Sequence, residues 1–85
     1  MEAAWRAIAD PRRRAILRLV RDEERTAGEI AEAFEVTRPA ISQHLAVLRR
    51  AGLVSERREG TRRFYRARPE KIGELQRLLE GFRRA

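Results

Sequence analysis

From Thr37 to Arg50 the chain carries no aspartate or glutamate. The stretch opens Thr37-Arg38-Pro39-Ala40-Ile41-Ser42-Gln43-His44, a set of short polar groups suited to nucleic acid. Arginine forks onto guanine, glutamine onto adenine, and an alanine methyl can touch that of thymine. The hydroxyls of Thr37 and Ser42 suit phosphate oxygens. Further along, Arg57-Arg58-Glu59-Gly60-Thr61-Arg62-Arg63 sets four arginines around a glycine turn. A thin basic ribbon can follow a phosphate backbone or enter a narrow minor groove. His44, the only histidine, either contacts DNA or fills the flank of its helix.

The charge is placed to match. Net charge is +7, and residues 37–68 carry all of it. Residues 1–36 sum to −1 and residues 69–85 to +1. A solubilising surface mixes its signs, whereas a one-sided surplus is the footprint of a polyanion. Lys71 is the only lysine, and arginine suits bidentate contacts to phosphate and guanine. A GC-rich genome would produce the same bias.

Positioning these groups requires a frame. Residues 2–9 read as a short helix with Ala4, Trp5 and Ile8 on one side. Asp10-Pro11 is an N-cap followed by proline at the first helical position, opening a second helix to about Asp22. Ile16, Leu17 and Val20 share its inner face. Asp22 to Arg25 reads as a polar connection. Thr26 and Glu29 form a capping box for a third helix, with Ile30, Ala31 and Phe34 inward. Glu35-Val36 is a tight turn, and Thr37 caps a fourth helix that buries Ile41, Leu45 and Leu48. Gly52 ends it. Leu53–Arg58 and Arg62–Ala67 read as strands around Glu59-Gly60-Thr61. Pro69 starts a last helix to about Arg84. The fold class is mainly α with a small β-hairpin. Two helices on so short a turn make a helix-turn-helix, and the hairpin completes a winged helix.

Several stretches resemble the ArsR-type (arsenic-repressor-like) bacterial transcriptional regulators. They are Asp10-Pro11-Arg12-Arg13-Arg14-Ala15-Ile16-Leu17, Thr26-Ala27-Gly28-Glu29-Ile30-Ala31, Arg38 through Val54, and Arg57 through Tyr65. The resemblance covers about residues 5–80. It implies a homodimeric repressor on a partly palindromic operator, with the first and last helices building the dimer interface. Many such proteins sense metals through cysteines on the third helix. This chain has no cysteine, and its last helix has no histidine. It resembles the subgroup without the metal motif, so neither a metal nor a cofactor is expected, and the effector is undefined.

The expected interface residues are Trp5 and Ile8 with Ile72, Leu75, Leu79 and Phe82, because a core this small gains from added burial. Trp5 stacking on a base is the weaker alternative. Arg12, Arg13 and Arg14 sit where the helix dipole disfavours cations. They either clamp phosphate or pair with Glu29, Glu32 or Glu35, and pairing is the preferred reading. Catalysis is not expected: there is no thiol, no Gly-rich phosphate loop and a single histidine. The chain is expected to be one domain over residues 1–85. With no secretory start and no apolar run of about 20 residues, it is expected in the cytoplasm, off the membrane and at the nucleoid. The alternative function is a winged helix that docks protein, which would want an apolar fourth helix and a neutral wing.

Overall fold

A computed structural model describes residues 1–84. Its elements are α1 (Glu2–Ala9), α2 (Pro11–Leu19), β1 (Arg25–Thr26), α3 (Ala27–Phe34), α4 (Arg38–Arg50), β2 (Val54–Glu59), β3 (Arg62–Ala67) and α5 (Pro69–Arg84). The boundaries of α2, α3 and α4 follow from local chemistry. The Asp10 carboxylate accepts from the N–H groups of Arg12 and Arg13, and Pro11 sits in the first turn of α2. Thr26 and Glu29 close a reciprocal capping box at α3. Thr37 Oγ1 accepts from the Ala40 N–H at 3.3 Å and starts α4. The Gly52 N–H bonds the Arg49 carbonyl and the Leu53 N–H bonds that of Leu48. Those two bonds make a Schellman ending, and Gly52 adopts the φ of +77° that it requires.

The same ending closes α3 without glycine. Glu35 sits at φ 55°, with its N–H on Glu32 and that of Val36 on Ala31. This strained residue makes the helix-turn-helix corner between α3 and α4. Ile41, Leu45 and Leu48 are fully buried or nearly so, against Ile16, Val20, Ile30, Leu53 and Val54. Burying three such side chains contributes about 5–9 kcal/mol before entropic costs, enough to seat α4 firmly.

Three expectations change. α2 ends at Leu19, not Asp22. The polar connection expected at Asp22 to Arg25 runs into β1, whose Arg25 and Thr26 pair antiparallel with β3 in a sheet ordered β1-β3-β2. Glu59 belongs to its strand, so the wing turn is only Gly60-Thr61. Gly60 has φ +62° and Thr61 has no positive φ, the pattern of a II′ hairpin turn.

Candidate nucleic-acid interface

Strand alternation sorts the wing into two faces. In register, Val54 pairs with Ala67, Glu56 with Tyr65 and Arg58 with Arg63. Val54, Tyr65 and Ala67 are core residues, so this face turns toward α4 and carries Arg58 and Arg63 at its tip. The opposite face carries Arg57, Glu59, Arg62 and Phe64.

The four wing arginines therefore differ. Arg57 is tied down: it donates to both carboxylate oxygens of Glu24 and, at 2.6 Å, to Glu59. These bonds push its pKa up and hold that of Glu24 below the ordinary value. Its guanidinium lies 4.6 Å from the Phe64 ring centre, and that of Arg62 lies 5.0 Å away. Arg57, expected with the other wing arginines as a DNA contact, is thus engaged within the protein, because β1 brings Glu24 beside it. Among the described residues, Arg58, Arg62 and Arg63 make no ion pair, nor does Arg38 on α4.

Arg38, Pro39, Ser42 and Gln43 are exposed along the front of α4, with Ala40 half-buried behind them. Thr37 spends its lone pair on the cap and keeps its hydroxyl hydrogen for donation. A cleft of about 480 Å³ joins helix and wing. It is lined by Thr26, Ala27 and Gly28 at the start of α3, Arg38 and Ser42 on α4, and Thr61, Arg62, Arg63 and Tyr65 on the wing. Gly60 and Thr61 stand exposed at the tip.

His44 is half-buried and faces away from this cleft, beside Asp10, Pro11 and Arg12. Its Nδ1 lies 3.4 Å from Arg13 Nη1. Arginine can only donate, so this contact needs Nδ1 as acceptor and the proton on Nε2. The flank-filling reading of His44 fits this placement.

Arg13 and Arg14 do not make the expected pairs with glutamates of α3 and its end. Arg13 donates to the carbonyls of Ala7 at 2.6 Å and Arg6 at 3.2 Å, and Arg14 to those of Ile8 and Ala9. They cap the C-terminus of α1, where cations are favoured. No contact to Glu29, Glu32 or Glu35 forms; Glu29 instead caps α3. Arg12 is exposed.

One network at the site has no counterpart among the sequence expectations. The Tyr65 hydroxyl donates to Glu56 at 3.0 Å, and Arg49 donates to the same carboxylate at 3.3 Å. Burial, then the Glu56 carboxylate, push the Tyr65 pKa up. Counting alternate residues from the Gly60 turn would have placed Glu56 opposite Tyr65.

Of the expected interface residues, Trp5, Ile8 and Ile72 are half-buried, and Leu79 and Phe82 are 51% and 76% exposed. Leu75 is corrected: at 4% exposed in the single chain, it belongs to the protomer's own core. No helix among the described residues is long and apolar enough to cross a membrane. No group of three metal-ligating side chains gathers among them either.

The family model for bacterial regulatory proteins of the arsR family matches residues 10–56, from the cap of α2 into the wing. The chain belongs to this family. It is 43% identical over 81 residues to the HTH-type transcriptional regulator Rv2034 of Mycobacterium tuberculosis, covering 95% of this chain and 76% of that one. It is 43% identical over 65 residues to the transcriptional repressor SdpR of Bacillus subtilis, covering 76% and 72%. A solved structure from Mycobacterium bovis is the homodimeric winged helix-turn-helix DNA-binding domain of a possible ArsR-family regulator. It superposes with a TM-score of 0.80 at 36% identity, covering 95% of this chain and 75% of that one. This arsR-family chain is therefore a winged helix-turn-helix transcriptional regulator and not an enzyme.

Proposed function

We propose that the chain is a homodimeric repressor that binds a partly palindromic operator in double-stranded DNA. The α4 helices enter successive major grooves, roughly 34 Å apart. Arg38, Ser42 and Gln43 read base edges or position the helix, with Pro39 and Ala40 in contact beneath them and the Thr37 hydroxyl on phosphate. Arg58, Arg62 and Arg63 hold the backbone from the wing, and the Gly60-Thr61 turn lets the tip approach closely. The observation that carries this is the cleft shared by Arg38 and Ser42 with Arg62 and Arg63, whose arginines lack ion pairs among the described residues. Desolvated or not, such a concentration of cation wants a polyanion.

The terminal helices, residues 2–9 and 69–84, supply the dimer contact. Only the first half of α5 joins the core, while Leu78, Leu79 and Phe82 are left 43%, 51% and 76% exposed. A second copy would cover that stripe together with Trp5, Ile8 and Ile72, as a self-complementary interface does. Acting on the chromosome places the protein at the nucleoid in the cytoplasm.

The test is selection of fragments retained from genomic DNA, followed by binding to the enriched duplex across a salt series. A single enriched inverted repeat, bound two chains per duplex with a steep salt dependence, is expected. Salt-insensitive binding with no enriched sequence would favour the protein-docking alternative. A reporter driven from the retained promoter should fall when the protein is expressed.

A further inference from the structure

The wing face toward α4 runs from apolar at its base to basic at its tip, and its middle holds one acid. Glu56 is that acid, with a side chain only 16% exposed. One of its oxygens accepts from Tyr65 across the hairpin and the other from Arg49 in the last turn of α4. Glu56, Arg49, Tyr65 and Arg63 line one small cleft with Ser42, Leu45 and Ala46. A carboxylate here lowers the positive potential between helix and wing, which works against attraction of DNA. Its placement makes sense as geometry.

We infer that Glu56 is a positioning residue that fixes the angle between the wing and α4, and so sets the ratio of specific to non-specific DNA binding. This rests on the DNA-binding reading above. The lever arm gives the reason. From Val54 to Glu59 the strand extends about 17 Å. A tilt of about 10° at its base carries the tip about 3 Å, enough to lose a phosphate contact while α4 stays in its groove. The Schellman turn at Gly52 fixes only the backbone between α4 and β2. The Tyr65–Glu56–Arg49 bridge holds the side on which tilt would occur.

The experiment compares wild type, Glu56→Gln and Tyr65→Phe. The probes are the duplex that wild type enriches from a random library and a scrambled duplex of equal length. Dimer content and folded fraction are matched by sedimentation and circular dichroism. Glu56→Gln removes a negative charge, so the scrambled duplex should bind more tightly. The ratio of enriched to scrambled affinity should nonetheless fall about tenfold. Tyr65→Phe changes no charge and leaves the ring in the core. It should leave scrambled binding unchanged and weaken the enriched duplex about fivefold. A structural role alone would lower the melting temperature without moving the ratio in folded protein. Both affinities shifting by one common factor in both variants overturns the proposal while DNA recognition stands. A wild-type protein that enriches no sequence overturns the DNA reading, and this proposal falls with it.

Discussion

Arg58 and Arg63 are directly opposed across the wing, two like charges with Cβ atoms about 5 Å apart. In the free protein that pairing is repulsive. Replacing both with alanine should therefore raise the melting temperature of the DNA-free protein. The gain should be larger at 0.01 M salt, where the Debye length is about 30 Å, than at 0.1 M, where it is about 10 Å. DNA binding should move the other way. If each arginine holds one phosphate, a dimer loses four contacts and the slope of log affinity against log salt flattens by about 3.6. Between 50 and 200 mM salt, that removes about 150-fold of the salt-driven loss. Arg57→Ala is the control, because its charge is already committed to Glu24 and Glu59. It should change the slope by less than about one and should lower the melting temperature, since the link between wing and β1 is cut. Fluorescence anisotropy across a salt series and differential scanning calorimetry read both quantities. If Arg57→Ala flattens the slope as much as the double variant, or the double variant melts lower than wild type, the sorting of the wing arginines is wrong.

Gln43→Ala should cost roughly 1–3 kcal/mol on the enriched operator and little on scrambled duplex, read by competition binding. Leu79→Glu with Phe82→Glu should yield a folded monomer by analytical ultracentrifugation. Leu75→Ala should instead destabilise the protomer by about 2–5 kcal/mol in urea, because its side chain lies in the core. Glu35→Gly should stabilise by about 0.5–1 kcal/mol, as relief at φ 55° outweighs glycine's added chain entropy. Acid should unfold the protein in a defined direction. The Arg57 bonds lower Glu24, and the Thr26 N–H lowers Glu29. Asp10 is lowered too: desolvation pushes it up, but the N–H groups of Arg12 and Arg13 outweigh this. Groups lowered by folding contribute stability above their ordinary values, 4.5 for glutamate and 3.8 for aspartate, and lose it as pH falls through the lowered ones. Melting temperature should drop below about pH 4.5 as these carboxylates take up protons. A protein that melts no lower at about pH 3.5 than at about pH 5.5 would contradict this.

What was legible in the sequence was what local chemistry determines. Thr26 and Glu29, Thr37, Asp10-Pro11 and Gly52 announce helix ends because each satisfies backbone groups within a few residues of itself. Ile41, Leu45 and Leu48 announce a buried face because helical periodicity is a property of one segment. The exposed Arg38, Ser42 and Gln43 then follow by exclusion. What was not legible depends on how one element is set against another. Arg57 looked like its three neighbours until β1, two residues long and without any strand pattern of its own, brought Glu24 against it across 33 positions. Arg13 and Arg14 looked misplaced at the start of α2 because the carbonyls they satisfy end α1, and only the turn angle at Asp10 brings those ends together.

The same distinction explains why counting arginines overstates the DNA-facing charge. Each arginine adds equally to the net charge of a sequence, but its field at a duplex depends on whether a carboxylate lies beside it. Arg57 and Arg49 are ion-paired to Glu24, Glu59 and Glu56, and Arg62 stands opposite Glu59 and within the field of Glu29, whereas Arg38, Arg58 and Arg63 make no ion pair among the described residues. Pairing on the wing face that carries Arg57, Glu59 and Arg62, with unpaired arginines on the face toward α4 and on α4 itself, concentrates the potential where two phosphate strands could lie. A surface with the same net charge spread evenly would attract DNA from any direction and hold it in no particular register.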